Sequence, residues 1–133
     1  MYFIPSPIIQ KLPQKDEYYY GSIHHIYPYK LREAENICLY IDTANGLFKT
    51  SVSANITISN PLYELYNDMI KNHNNKASTP TINEFEDLFI KFKVIDSNNC
   101  SKLTIVKMIS ADEYYRETLK TCNESSFTQE VLL

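Results

Sequence analysis

Ile37-Cys38-Leu39-Tyr40-Ile41-Asp42-Thr43-Ala44-Asn45-Gly46-Leu47 is the stretch on which the fold turns. Its first six residues alternate strictly, with Ile37, Leu39 and Ile41 on one face and Cys38, Tyr40 and Asp42 on the other. Period-two alternation predicts a strand with one buried side. Asn45-Gly46 is a strong hairpin signal, so a partner strand is expected from Leu47 to Ser53 or on to Ile58. The fold is thereby committed to antiparallel strands with a wet face and a dry one.

Upstream, Tyr18 to Tyr29 is dense in aromatic and β-branched residues and reads as a long strand closed by Pro28. Leu31 to Glu35 reads as a polar connection. Residues 1–16 read as an arm, because Pro5, Pro7 and Pro13 forbid regular structure while Phe3, Ile4, Ile8, Ile9 and Leu12 are apolar enough to pack.

Downstream the period changes from two to 3.6. Asn60 suits a helix cap and Pro61 the first turn, and Leu62, Leu65, Tyr66, Met69 and Ile70 fall on one stripe. A polar loop from Lys71 to Lys76, holding His73, ends the helix. Thr81 and Glu84 have capping-box spacing and predict a short helical turn. In the next strand Leu88, Ile90, Phe92 and Val94 point inward and Phe89, Lys91 and Lys93 outward. Asp96 to Asn99 is a turn, Leu103 to Ile109 a last strand, and Ser110 with Glu113 caps a C-terminal helix. Residues 17–121 are expected to form one domain and 122–133 a mobile tail.

Composition removes whole classes of function. With glycine only at positions 21 and 46, no Gly-rich phosphate loop can be built. No apolar run approaches the roughly 20 residues that span a bilayer, the N-terminus is a poor signal peptide, and Cys38, Cys100 and Cys122 form no CxxC pair. A cytoplasmic chain with free thiols is expected. The net charge of −3 lies from Ser110 onward, where five acids face Arg116 and Lys120, and the rest balances. A neutral body with an acidic end is compatible with a polyanionic ligand.

The order long strand, two-stranded hairpin, helix, two strands is that of an OB-like β-barrel. The fold expected is mainly β, with one helix between strands three and four and another at the C-terminus. Gly21-Ser22-Ile23, Leu39-Tyr40-Ile41-Asp42, Asn60-Pro61-Leu62-Tyr63-Glu64-Leu65 and Phe85-Glu86-Asp87-Leu88 with the strand after it carry a further likeness. Over residues 17–109 the chain resembles small OB-type single-stranded-DNA-binding proteins of phages and mobile elements of Gram-positive bacteria. It departs from them where Phe89 and Ile90 stand in place of a glycine, and it lacks an Asp-rich tail ending in Phe. The resemblance implies binding to single-stranded DNA in replication or recombination.

Single-strand binding needs aromatic platforms and scattered cations. The candidates are Tyr18, Tyr20, His24 and Tyr40 on the outward face, with Lys30, Arg32, Lys49, Lys91 and Lys93 along the phosphates. Tyr19, Gly21, Ile23 and His25 take the opposite face of the first strand, unless a bulge near Gly21 shifts the register. Tyrosines also suit an ordinary half-wet strand. His24 and His25 point to opposite faces and cannot share one ion. No nucleophile has a base at motif spacing, so no enzyme, metal or cofactor is expected. The alternative is a protein-interaction module, a phage-encoded inhibitor or accessory factor docking on a host protein through the arm or the Tyr114/Tyr115 helix.

Overall fold

Pairing between distant segments turns these stripes into one curled sheet. The computed structural model describes residues 7–71 and 81–120. Its strands are β1 (Ile8–Ile9), β2 (Tyr19–Leu31), β3 (Ala34–Thr43), β4 (Gly46–Ser53), β5 (Phe89–Ser97) and β6 (Cys100–Met108). Helix α1 (Tyr63–Lys71) and a 3-10 turn (Ile82–Phe85) separate β4 from β5, and helix α2 over 111–120 follows β6. The spatial order is β1-β4-β3-β2-β5-β6, antiparallel throughout except for β1 beside β4. The loop holding His73 and the tail 122–133 with Cys122 lie outside the described residues.

The first helix was expected between strands three and four; it lies between the fourth and fifth, because Pro7–Leu12 adds a strand ahead of the long one. Prolines 7 and 13 forbid a long strand but not the two residues of β1. The Leu47 N–H donates to the Pro7 carbonyl at 2.8 Å and the Ser101 N–H to the Gln10 carbonyl at 2.8 Å, so the segment bonds to β4 on one side and β6 on the other. Leu12 is fully buried, and its N–H donates to the Ser101 hydroxyl at 2.9 Å. Strands β2 to β6 curl into a half-barrel, and the segment carrying β1 crosses its open side between β4 and β6.

Two glycines make close approaches possible. A Cβ on Gly21 would stand 2.5 Å from the Asp42 carbonyl oxygen, where β2 presses on β3. Gly46 has φ +135, and a Cβ there would meet the Pro7 carbonyl at 3.0 Å. The β3–β4 turn centres on Ala44-Asn45 and not on Asn45-Gly46, since Thr43 pairs with Gly46. The Thr43 side chain decides this: its hydroxyl accepts from the Asn45 N–H at 3.1 Å and donates to the Gly46 carbonyl at 2.7 Å.

Pro28 does not end β2, which runs on to Leu31. Beyond Ile23 only β3 pairs with β2, and an edge position tolerates a residue without an N–H. The expected Leu31–Glu35 connection contracts to the two-residue turn Arg32-Glu33, with Arg32 left-handed at φ 52. β4 stops at Ser53 because Asn60 takes over: its amide donates to the Ser53 and Asn55 carbonyls, while its Oδ1 accepts the Leu62 N–H at 2.9 Å.

Inside the curl Phe48 and Phe92 stack at 6.0 Å, surrounded by Ile23, Leu39, Ile41, Ile90 and Val106. Leu62 and Leu65 of the α1 region close one end. Ile70, expected on the buried stripe, is 43% exposed in the last turn of α1. Among the described residues no helix is long and apolar enough to cross a membrane.

Candidate nucleic-acid interface

One extra residue in β2 sets the composition of the outer face. Ile23 pairs with Ile41 but His25 pairs with Tyr40, so His24 is a bulge with no residue opposite. The bulge inverts the alternation. Before it Tyr19, Gly21 and Ile23 are buried; after it Ile26 is, and His25, Tyr27 and Tyr29 come to the outer face. The expectation that His24 stands in line with Tyr18 and Tyr20 and His25 opposite is thereby corrected: the bulge falls at His24, three residues past Gly21. The signal was present in the sequence, for Ile23 and Ile26 are apolar residues three apart in a strand whose period is two.

The register assembles an aromatic field. Tyr40 lies between His25 on β2 and Lys49 on β4, and Cys38 lies between Tyr27 and Ser51. The His25 ring is 5.3 Å from Tyr27 and 6.4 Å from Tyr40; Tyr27 is 6.4 Å from Tyr40 and 6.5 Å from Tyr29. The Lys49 ammonium sits 5.8 Å from the Tyr40 ring centre. Glu86 holds the His25 ring from outside, with Nδ1 and Oε1 3.1 Å apart. Hydrogen bonding and charge from Cys38, then burial and Tyr40, raise the Tyr27 phenol well above its ordinary pKa.

Beside this field opens a cleft of about 460 Å³. Tyr27, Tyr29, Cys38, Lys49 and Ser51 line one side, and Gln10, Cys100 and Lys102 at the start of β6 line the other. Aromatic faces, hydroxyls and two ammonium groups converge there. Among the described residues no group of three or more His, Cys, Asp and Glu side chains is placed to hold a metal ion.

A second cluster lies at the other end of β2. Lys93, Lys91 and Lys107 reach over the Tyr18 ring at 4.8, 5.1 and 5.9 Å from its centre. Adjacent cations on one ring repel, and Glu113 at 3.6 Å from Lys91 and Glu64 at 3.9 Å from Lys107 offset this. Between the two clusters α2 crosses the face. Its Tyr114 ring stacks on Phe89 at 4.4 Å, and Phe89 lies beside Ser22. Burial first, then the Glu117 and Glu113 carboxylates, raise the Tyr20 phenol pKa.

The nine candidates thus divide. Tyr40 and Lys49 are brought together in the aromatic field. Tyr18, Lys91 and Lys93 meet in the lysine cluster, with Tyr20 half-buried beside Lys91. Lys30 and Arg32 are exposed at the tip of the β2–β3 hairpin, and His24 is exposed at the bulge. His25, Tyr27, Tyr29, Lys102 and Lys107 join the two clusters without having been expected there. No protein-family model matches the chain, and neither a curated protein nor a solved structure matches it either.

Proposed function

We propose that the curled sheet is an OB-type barrel and that the chain binds single-stranded nucleic acid without strong sequence preference. The strand pairing supports the fold reading. The long β2 pairs with both β3 and β5, β3–β4 and β5–β6 are hairpins, and β4 approaches β6 across the open side. In such barrels the hairpin face and the flanking loops take the ligand. Here that face carries the aromatic field, and the cleft lies between it and the β5–β6 turn region.

The observation that carries the functional reading is the field itself: four rings in succession on one exposed face, with Lys49 over Tyr40. Every base has a π-face, so stacking contributes about 1–3 kcal/mol per base whatever the sequence. Lys49 and Lys102 meet phosphates at the cleft, and Lys91, Lys93 and Lys107 supply a second contact region. The role is non-enzymatic and cytoplasmic. Its setting in phage or mobile-element DNA replication or recombination rests on the sequence resemblance.

Fluorescence anisotropy of a labelled oligo-dT of ~20 nucleotides, titrated across a salt series, tests this. Affinity is expected to fall steeply with salt, with log K losing about 0.7 per phosphate contact for each unit of log salt. Absence of binding at low salt, or binding indifferent to salt, would overturn it. One observation favours docking on a host protein instead: Tyr115 and Leu119 stand 54% and 56% exposed on α2. In that case the oligonucleotide fails to bind and Tyr115→Ser weakens capture of the host partner.

A further inference from the structure

The face that carries the aromatic field does not stop at Tyr40. Along β2 and its neighbours it continues through Ser22, Phe89, Tyr20 and Lys91 to the Tyr18 cluster. Those middle positions repeat the chemistry of the ends, with rings for stacking and a cation for a phosphate. They differ in being covered by α2. The cover itself has the form of a nucleotide: the Tyr114 ring lies on Phe89 at 4.4 Å as a base would, and the Glu113 carboxylate meets the Lys91 ammonium at 3.6 Å as a phosphate would.

The helix is lightly held. No residue of 111–120 belongs to the buried core, and Tyr115 and Leu119 face water. Its N-terminus is tied by the Ser110 hydroxyl, which accepts the Glu113 N–H at 3.1 Å, and Tyr114 and Tyr115 pack on Phe89. Elements with few buried contacts open at lower free energy than the core. A strand that reaches from the cleft to the lysine cluster meets α2 on the way.

We infer that Phe89, Tyr20 and Lys91 form a hidden base-and-phosphate subsite that α2 occupies in the unbound protein and that a long single strand uncovers. This rests on the nucleic-acid reading above. Phe89 then offers a stacking face, and Lys91 exchanges the Glu113 carboxylate for a phosphate. A strand that displaces its own chain's carboxylate binds more weakly than one that finds Lys91 free. Neutralising Glu113 therefore tightens binding.

The test is the affinity of the full chain for labelled oligo-dT of ~20 nucleotides with wild type, Glu113→Gln and Asp112→Asn, together with amide hydrogen exchange in α2. Asp112→Asn makes the same charge change on the same helix at an exposed position. The inference expects Glu113→Gln to bind about threefold or more tighter and Asp112→Asn to change less than about twofold. It also expects amides 111–120 to lose protection when the oligonucleotide is added to wild type, while those of β2 and β5 keep theirs. Equal gains for both variants, or α2 amides that become better protected on binding, overturn it and leave the nucleic-acid reading standing. If the oligonucleotide binds no form of the protein, that reading falls and the subsite falls with it.

Discussion

Among the described residues, Tyr19 is the one whose buried polar atom the fold leaves without a partner. Its ring stacks on Phe92 at 5.7 Å, and among the described residues its buried hydroxyl has no hydrogen-bond partner. A hydroxyl stripped of water without a bond in return destabilises the folded state by about 1–3 kcal/mol. Tyr19→Phe keeps the ring and removes the cost. Urea unfolding is therefore expected to show Tyr19→Phe more stable than wild type by about 1 kcal/mol. Loss of stability would mean that the hydroxyl has a partner after all. The core side of this strand was legible from Tyr19, Gly21 and Ile23. The outer side past Ile23 was not, because one bulged residue inverts every later position and leaves only the Ile23–Ile26 spacing as a trace.

Among the elements, hairpins show why local sequence is an uneven guide. The strands themselves followed from alternation: Ile90, Phe92 and Val94 are buried and Lys91 and Lys93 are not. The turns depend on backbone dihedrals that a residue name only biases. Asn45-Gly46 carries the stronger signal, yet a Thr43 hydroxyl recentres the turn by one residue. Asn98 and Asn99 carry a weaker one, yet both adopt φ > 0, at 49 and 66, and form the mirror-image turn that suits hairpins. Glycine reaches that conformation without the steric cost of a Cβ. Asn99→Gly is expected to raise stability by about 0.5–1 kcal/mol with oligonucleotide affinity unchanged, read from the urea midpoint and a titration. A drop in stability would show that the Asn99 side chain is needed.

Across the whole molecule, closure comes from a segment that looks least structured in sequence. Three prolines in thirteen residues argue against a strand, but they do not report that Pro7 and Gln10 carbonyls bond to opposite edges of the sheet. Such pairing is a tertiary event and has no local signature beyond the apolar Ile8, Ile9 and Leu12. Leu12→Ala is expected to cost about 2–5 kcal/mol, the range for emptying a fully buried aliphatic position. A cost below about 1 kcal/mol would mean that the segment only lies on the surface. The outer face was legible in kind, as tyrosines and lysines on the outward sides of strands. Its division into two clusters with α2 between them needed the register of six strands.

Tyr40 is where these scales meet. It is an outward residue on a strand fixed by alternation, set by register between His25 and Lys49 at the centre of the aromatic field. The most direct test is the anisotropy titration of oligo-dT with wild type and Tyr40→Ala at several salt concentrations. Loss of one stacking ring is expected to weaken binding by about 1–3 kcal/mol, or roughly 5- to 150-fold, at every salt concentration. The salt slope is expected to stay unchanged, because tyrosine neutralises no phosphate. Binding that Tyr40→Ala leaves intact would contradict the claim that this face holds the strand.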